Sequence, residues 1–286
     1  MQPRLFCFGL GYSAEVLARH CRAAGWQIAG TARETDRLAY LANQGFETFR
    51  FDRQHGLPGG ALAGATHILS SVPPDADGDP VLDLARPAIL AAGAGLSWIG
   101  YLSTTGVYGD HGGGWVDETS PLRPTASRSW HRVNAEAAWL DLWRGSGLPT
   151  HLFRLAGIYG PGRSALDEVR SGRARRIVKP GQVFSRIHVE DIAGVLQVSM
   201  AKPAPGSVYN VCDDEAAPPQ DVIAFACDLL GVPPPPETPF DQAVLSPMAQ
   251  SFWADNRRVR NDRIKRDLGV ALRYPTYREG LRALAE

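Results

Sequence analysis

The feature that most constrains the fold is the stretch Leu5-Phe6-Cys7-Phe8-Gly9-Leu10-Gly11-Tyr12-Ser13-Ala14. It is a short apolar run that ends on Gly-x-Gly and passes into Glu15-Val16-Leu17-Ala18-Arg19-His20, where the apolar residues have helical spacing. A strand that turns on glycine straight into a helix aims several backbone N–H groups, and the positive end of the helix dipole, at one spot. That spot suits a pyrophosphate. Gly9 permits the tight turn, Gly11 lets phosphates approach the backbone, and Ala14 is the third small residue that lets helix pack on strand. Tyr12 and Ser13, the first residues past the turn, bring their amides to the same place. Many glycine turns bind nothing, but one that follows a strand and opens a helix reads as a dinucleotide site.

The chain continues in alternation. Trp26-Gln27-Ile28-Ala29-Gly30-Thr31 reads as a second strand, ending at Ala32-Arg33. An acidic residue at this strand's end would hold the adenosine ribose hydroxyls; Arg33 stands there instead, and a guanidinium pairs with a 2′-phosphate. NADP is therefore favoured over NAD. Arg37, one helical turn on, reads as an ordinary solvated charge. A helix from about Asp36 to Gln44 precedes a third strand, Phe46-Glu47-Thr48-Phe49-Arg50-Phe51, closed by Asp52, which joins the cofactor-facing set. The run from Thr66 to Val72 stops at Pro73-Pro74, where prolines end strand pairing. Ser70, Ser71 and Val72 then lie at a strand's carboxyl end, where open α/β sheets bind ligands. Residues 80–93 have helical spacing, and Trp98-Ile99-Gly100-Tyr101-Leu102 forms a further strand that runs into Ser103-Thr104-Thr105-Gly106-Val107-Tyr108-Gly109. Strand and helix in repeated alternation argue an α/β chain with a parallel, doubly wound sheet.

Later segments change character. A helix carries Arg128, Arg132, Glu136 and Trp139 on one side, and Pro149 to Leu155 is a sixth strand. Arg170, Arg173, Arg175, Arg176 and Lys179 cluster, either as a solvated face or as a seat for an anionic small-molecule substrate. Ile187 to Ala193 returns to strand-then-helix, Val208 to Cys212 is another strand, and helices are expected at 219–230 and 277–285. Thirty basic residues balance thirty acidic ones, so no global field draws the chain to nucleic acid or anionic lipid. Cys7, Cys21, Cys212 and Cys227 show no Cys-x-x-Cys spacing and read as buried apolar residues, not as a zinc site or disulfide frame. With no apolar run of membrane-spanning length and no leader pattern, the expectation is a cytoplasmic protein, monomer or homodimer, without a membrane partner.

Taken in order, the markers Gly9-Leu10-Gly11, Ser103-Thr104-Thr105-Gly106-Val107-Tyr108-Gly109, Tyr159-Gly160-Pro161-Gly162, Ile187-His188-Val189-Glu190-Asp191 and Tyr209-Asn210-Val211 resemble the extended short-chain dehydrogenase/reductase superfamily, in its NAD-dependent epimerase/dehydratase branch. The resemblance runs over nearly the whole chain, and the close glycine pair makes it an atypical member. It implies a Rossmann domain over residues 1–157 and 186–212, and a smaller, discontinuous C-terminal substrate domain over 158–185 and 213–286. It implies that Thr104 hydrogen-bonds the reacting oxygen, that Ser103 belongs to the same cofactor-facing strand end, and that Tyr108 is a catalytic candidate. The family's Tyr and Lys, four residues apart, fall on Arg128 and Arg132 when counted back from Glu136. Arg132 can still bond ribose hydroxyls and lend charge. Arg128 cannot shuttle a proton, because a guanidinium stays protonated. The proton candidates that remain are Tyr108, His111, His131 and His188. Thr105-Gly106 replaces the dehydratases' Asp-Glu pair, and Phe184 stands where epimerases present a phosphate-binding Arg, with Arg163 or Arg186 as substitutes. The function implied is NAD(P)-dependent oxidation, reduction or epimerisation; the alternative is a non-catalytic NADP-binding redox sensor or scaffold.

Overall fold

A computed structural model of the chain describes residues 2–286. The opening apolar run is strand β1 (Arg4–Phe8), followed by α1 (Tyr12–Ala23), β2 (Gln27–Ala32), α2 (Thr35–Asn43), β3 (Glu47–Arg50), β4 (His67–Ser70) and α3 (Pro80–Ala92). Next come β5 (Trp98–Thr104), β6 (Trp115–Val116), α4 (Ser127–Ser146), β7 (Thr150–Leu155), β8 (Gly157–Tyr159), α5 (Ala165–Arg170), β9 (Arg176–Val178), β10 (Arg186–His188) and α6 (Val189–Ala201). The chain ends with β11 (Val208–Val211), α7 (Pro219–Leu229), β12 (Glu237–Pro239), α8 (Pro247–Trp253), β13 (Arg258–Val259), α9 (Asp262–Leu268) and α10 (Tyr277–Ala285).

Seven strands form one sheet in the order β11-β7-β5-β4-β1-β2-β3. β1 pairs in parallel with β2 and β4, β2 with β3, and β4 with β5. Every residue of β1 and of β4 is buried, which is why these strands read as continuous apolar runs instead of alternating ones. Strand order reverses between β1 and β4, so the switch point that collects ligands lies beyond Phe8 and Ser70. Helix α3 starts cleanly because Asp79 Oδ1 accepts the Val81 and Leu82 amides and Pro80 occupies the first turn. The other Asp79 oxygen accepts the Trp139 indole N–H at 2.9 Å, tying α3 to α4. Among the described residues no helix is long and apolar enough to cross a membrane. All four cysteines are buried and unpaired.

The chain divides into two compact units. One comprises Met1–Thr104, Ser127–Arg154 and Ile192–Tyr209; the other comprises Thr105–Ala126, Leu155–Asp191 and Asn210–Glu286. The division departs from the expected boundaries at Thr105–Ala126, read from sequence as part of the Rossmann domain. The cause is local pairing: β6 forms a two-stranded ribbon with β13, and Glu118 accepts the Asn210 amide at 2.7 Å. The segment from Arg186 to Asp191 moves for the same kind of reason, since β10 pairs in parallel with β8. In the second unit α5, α7 and α10 enclose a core of Leu166, Val222, Ala226, Tyr277 and Leu281. Capping boxes start α5 (Ser164 with Asp167) and α10 (Thr276 with Glu279).

Candidate functional site

The glycine turn after β1 is gripped from three sides. Gly9 has φ +79°, a conformation that favours glycine, and a Cβ there would lie 3.0 Å from Ser71 Oγ and 3.2 Å from Val72 Cγ2. The Gly9 amide donates to Thr31 Oγ1 and the Leu10 amide to the Thr31 carbonyl, both at 2.8 Å. Ser71 Oγ donates to the Gly9 carbonyl. Leu10 folds over Gly30, where a Cβ would come within 2.6 Å of its side chain and of the Cys7 carbonyl. Gly11 is the opposite case: a Cβ there meets nothing within 4 Å, and α1 begins at Tyr12 with no side-chain cap on its amides. Helix-start amides beside open space form a cradle of the kind that takes a pyrophosphate, so these residues fit a dinucleotide. Ala14 is fully buried and Ser13 nearly so, which seats α1 close on the sheet.

Sequence reasoning missed the brace behind this turn. Arg37 is no free surface charge: its Nη2 donates to the Leu10 carbonyl at 2.8 Å and pairs with Glu15, whose other oxygen accepts from Tyr40 at 3.1 Å. The only sequence signal was the acid in the first turn of α1 facing a base one turn into α2. Arg33, by contrast, is exposed at the end of β2 and makes no hydrogen bond or ion pair among the described residues. Asp52 is turned into its own loop, with Oδ1 accepting the Gln54 and His55 amides and the His55 ring; these contacts hold its carboxyl down at about 2. Ser70 is fully buried, and its hydroxyl has no partner among the described residues.

At the end of β5 the side chains split by role. Ser103 is buried and donates to Glu136 Oε1 at 2.5 Å; Glu136 also takes Arg154 Nη2 at 2.7 Å and Arg154 Nε at 3.1 Å. This ion pair is almost fully desolvated, with 3% and 6% of the two side chains exposed. Thr104, the next residue, is only partly buried. Arg132 points its Nη1 at the Leu102 carbonyl (2.7 Å) and the Tyr101 hydroxyl (2.9 Å), with the guanidinium over the Tyr101 ring. Burial pushes the Tyr101 phenol above the usual range.

In the second unit Tyr108 is fully buried and donates its hydroxyl to Asn210 Oδ1 at 2.7 Å. That geometry makes Tyr108 an anchor for Asn210, not an exposed acid. His111 Nε2 lies 3.2 Å from the Tyr108 carbonyl. His188 is buried between Tyr159 and Tyr274 and takes the Glu190 amide on Nδ1; burial pulls its imidazole down to about 4. His131, in the first unit, lies half-exposed with Nε2 at 3.4 Å from Ser127 Oγ. The basic cluster is not one solvated face. Arg176 pairs with Glu237, and Lys179 holds the Trp253 carbonyl. Arg173 and Arg175 line a cavity of about 500 Å³ together with Arg163, Arg186, Trp253 and Tyr277. Phe184 packs edge-to-face on Trp253.

No family model matches the chain. The Escherichia coli K12 protein YeeZ is 28% identical over 241 residues, covering 79% of this chain and 84% of its own. Among solved structures, a functionally unknown conserved protein from Silicibacter pomeroyi is 55% identical with a TM-score of 0.92, over 99% of this chain and 98% of that one. More distant are an NAD complex of dTDP-glucose 4,6-dehydratase from Bacillus anthracis (17% identity, TM-score 0.77, 100% and 96% coverage) and an NAD complex of UDP-glucuronic acid 4-epimerase from Bacillus cereus (15%, 0.79, 99% and 95%). The chain belongs to one family with the Silicibacter pomeroyi protein, and it shares its fold with the dTDP-glucose 4,6-dehydratase and the UDP-glucuronic acid 4-epimerase.

Proposed function

We propose that the chain is an NAD(P)-dependent oxidoreductase or epimerase of the atypical extended short-chain type, preferring NADP and acting at a carbinol or carbonyl carbon of a small molecule. The observation that carries this reading is the open cradle at Gly11 beside the uncapped start of α1, held rigid by Thr31, Ser71 and Arg37. When bound, the nicotinamide nucleotide supplies the hydride chemistry. The chain's own residues do the rest. Gly9 and Gly11 shape the turn and keep it open, and the amides of Tyr12 and Ser13 at the start of α1 hold the pyrophosphate. Ser70, Ser71 and Val72 back the turn, and Arg33, untied to any other group, pairs with the 2′-phosphate. Thr104 hydrogen-bonds the reacting oxygen. Tyr108 is committed to Asn210, and the guanidinium of Arg132 stays charged, so the proton exchanges with water at the partly open end of β5.

A second reading is favoured by one observation: Arg132 spends two hydrogen bonds on its own strand, at Leu102 and Tyr101, as a structural tie would. In that reading the protein binds NADP without turnover, as a redox sensor or scaffold. Calorimetric titration with NADP and NAD, followed by a turnover screen of nucleotide sugars and small carbonyl compounds, decides. Tight NADP binding with turnover that falls in Thr104→Val supports the first reading, and binding with no turnover across the screen supports the second. If neither nucleotide binds at millimolar concentration, both are wrong.

A further inference from the structure

The two arginines that follow β2 are placed for different work. Arg33 is exposed at the strand's end and makes no hydrogen bond or ion pair among the described residues. Arg37, half-buried on α2, turns back on the glycine turn. Its Nε and Nη2 both donate to the Leu10 carbonyl, at 3.3 and 2.8 Å, and Nη2 also donates to Glu15 Oε2. Nη2 thus spends both of its protons. Because it belongs to each of the guanidinium's two-donor edges, neither edge is left whole for a phosphate. The guanidinium lies 5.0 Å from the centroid of the Tyr40 ring, whose hydroxyl donates to the other Glu15 oxygen at 3.1 Å. Arg19 pairs with Glu15 as well. A carboxylate with 12% of its side chain exposed, in the first turn of α1, would repel a phosphate at that helix start. Two cations cancel its charge and leave one positive charge over. The Leu10 residue itself is held at both ends, since its amide donates to the Thr31 carbonyl at 2.8 Å. The Leu10 carbonyl shares one planar peptide with the Gly11 amide, which donates to the Gly9 carbonyl at 2.8 Å. Fixing that carbonyl therefore fixes the direction in which Tyr12 and Ser13 begin α1.

We infer that Glu15 and Arg37 are positioning residues that set nucleotide selectivity by dividing the work of the two arginines. Glu15 locks Arg37 onto the turn, Arg37 shapes the pyrophosphate cradle for NADP and NAD alike, and Arg33 alone reads the 2′-phosphate. The inference rests on the cofactor reading of the cradle. With the lock removed, Arg37 regains a two-donor edge four residues from Arg33 and becomes a second partner for that phosphate.

The test is calorimetric titration of the full chain with NADP and NAD, run well below each variant's measured melting temperature. Arg37→Met and Arg37→Lys should each weaken both nucleotides about tenfold and leave the NADP-to-NAD ratio unchanged, since neither side chain presents a planar fork to Leu10 and Glu15. A loss confined to NADP makes Arg37 a 2′-phosphate ligand and overturns the inference. Unchanged affinity for both nucleotides also overturns it, leaving Arg37 a structural tie. Glu15→Gln keeps an acceptor oxygen but removes the charge. It should raise affinity for NADP about threefold relative to NAD, and the rise should vanish in Glu15→Gln/Arg37→Met. No rise, or a rise that persists without Arg37, overturns the lock. Failure of the wild type to bind either nucleotide refutes the cofactor reading and the inference together, whereas wild-type binding with any contrary variant result refutes the inference alone.

Discussion

Glu136 and Arg154 offer the sharpest test of how the first unit is held together. The two side chains are almost completely desolvated and bonded at 2.7 Å, and Ser103 completes the carboxylate's contacts. Taking one member away leaves the other as a buried, uncompensated charge, which costs about 3 to 5 kcal/mol. Glu136→Gln should sit at the low end, about 3 kcal/mol, because its amide oxygen still accepts one bond. For a chain of this size that is a fall in melting temperature of about 6 to 12 °C. Arg154→Met should cost more, since the Glu136 carboxylate keeps only Ser103. The double variant Glu136→Met/Arg154→Met should recover most of the loss, because an apolar pair of similar volume avoids the desolvation penalty. Urea and thermal unfolding followed by circular dichroism give the three values. If Glu136→Gln costs less than about 1 kcal/mol, or if the double variant shows the plain sum of the singles, the pair is not the buried, coupled unit described here.

Arg33→Glu should weaken NADP binding about tenfold or more while changing NAD binding little, read by calorimetry; equal effects on both would refute the 2′-phosphate assignment. Gly11→Val should abolish nucleotide binding with an unchanged melting temperature, because a Cβ there meets no atom. Gly9→Ala should instead destabilise by about 1 to 2 kcal/mol, since its φ of +79° is unfavourable for an L-residue and Ser71 crowds it. Acid should destabilise the first unit through His151, whose folded imidazole titrates at about 4 against an ordinary 6.5 because burial disfavours the cation. Its contribution is complete above pH 6.5 and is lost as pH falls towards 4, where the unfolded chain holds the extra proton. Its Nε2 accepts the Ala204 amide and so cannot be protonated without breaking that bond. His151→Gln should flatten the loss of stability over this window, and an unchanged slope would remove His151 as its source.

The strand-and-helix alternation up to β5 was legible because each element there carries its own signal: unbroken apolar runs for strands buried on both faces, and proline or glycine at the breaks. β2 is found at Gln27–Ala32 against an expected Trp26–Thr31, and α3 at Pro80–Ala92 against 80–93. The short ribbons β6–β13 and β9–β12 were not legible, since two- and three-residue strands leave no periodicity and their partners lie far along the chain. The same limit hid the roles of Thr31 and Arg37, which grip the glycine turn from β2 and α2. Spacing along a sequence reports which groups share a turn of helix. It does not report which groups from separate elements meet.

Arg132 and Glu136 both lie on α4 and both tie it to the sheet. Arg132 is bonded back to β5 and Glu136 to β7's Arg154, so one face of α4 is a ladder of ties to the sheet. A lysine at position 132 would offer a rotating point charge; arginine offers a planar fork that can hold a carbonyl and a phenol from one nitrogen while lying on the Tyr101 ring. Arg132 therefore serves α4 as a structural tie to β5. Tyr108 is likewise committed to an anchoring bond with Asn210. At the cradle of Gly9–Gly11 the bracing residues leave the Gly11 side open. Bracing is thus concentrated around a turn that stays open, and under the proposed oxidoreductase reading the proton comes from outside positions 108 and 132.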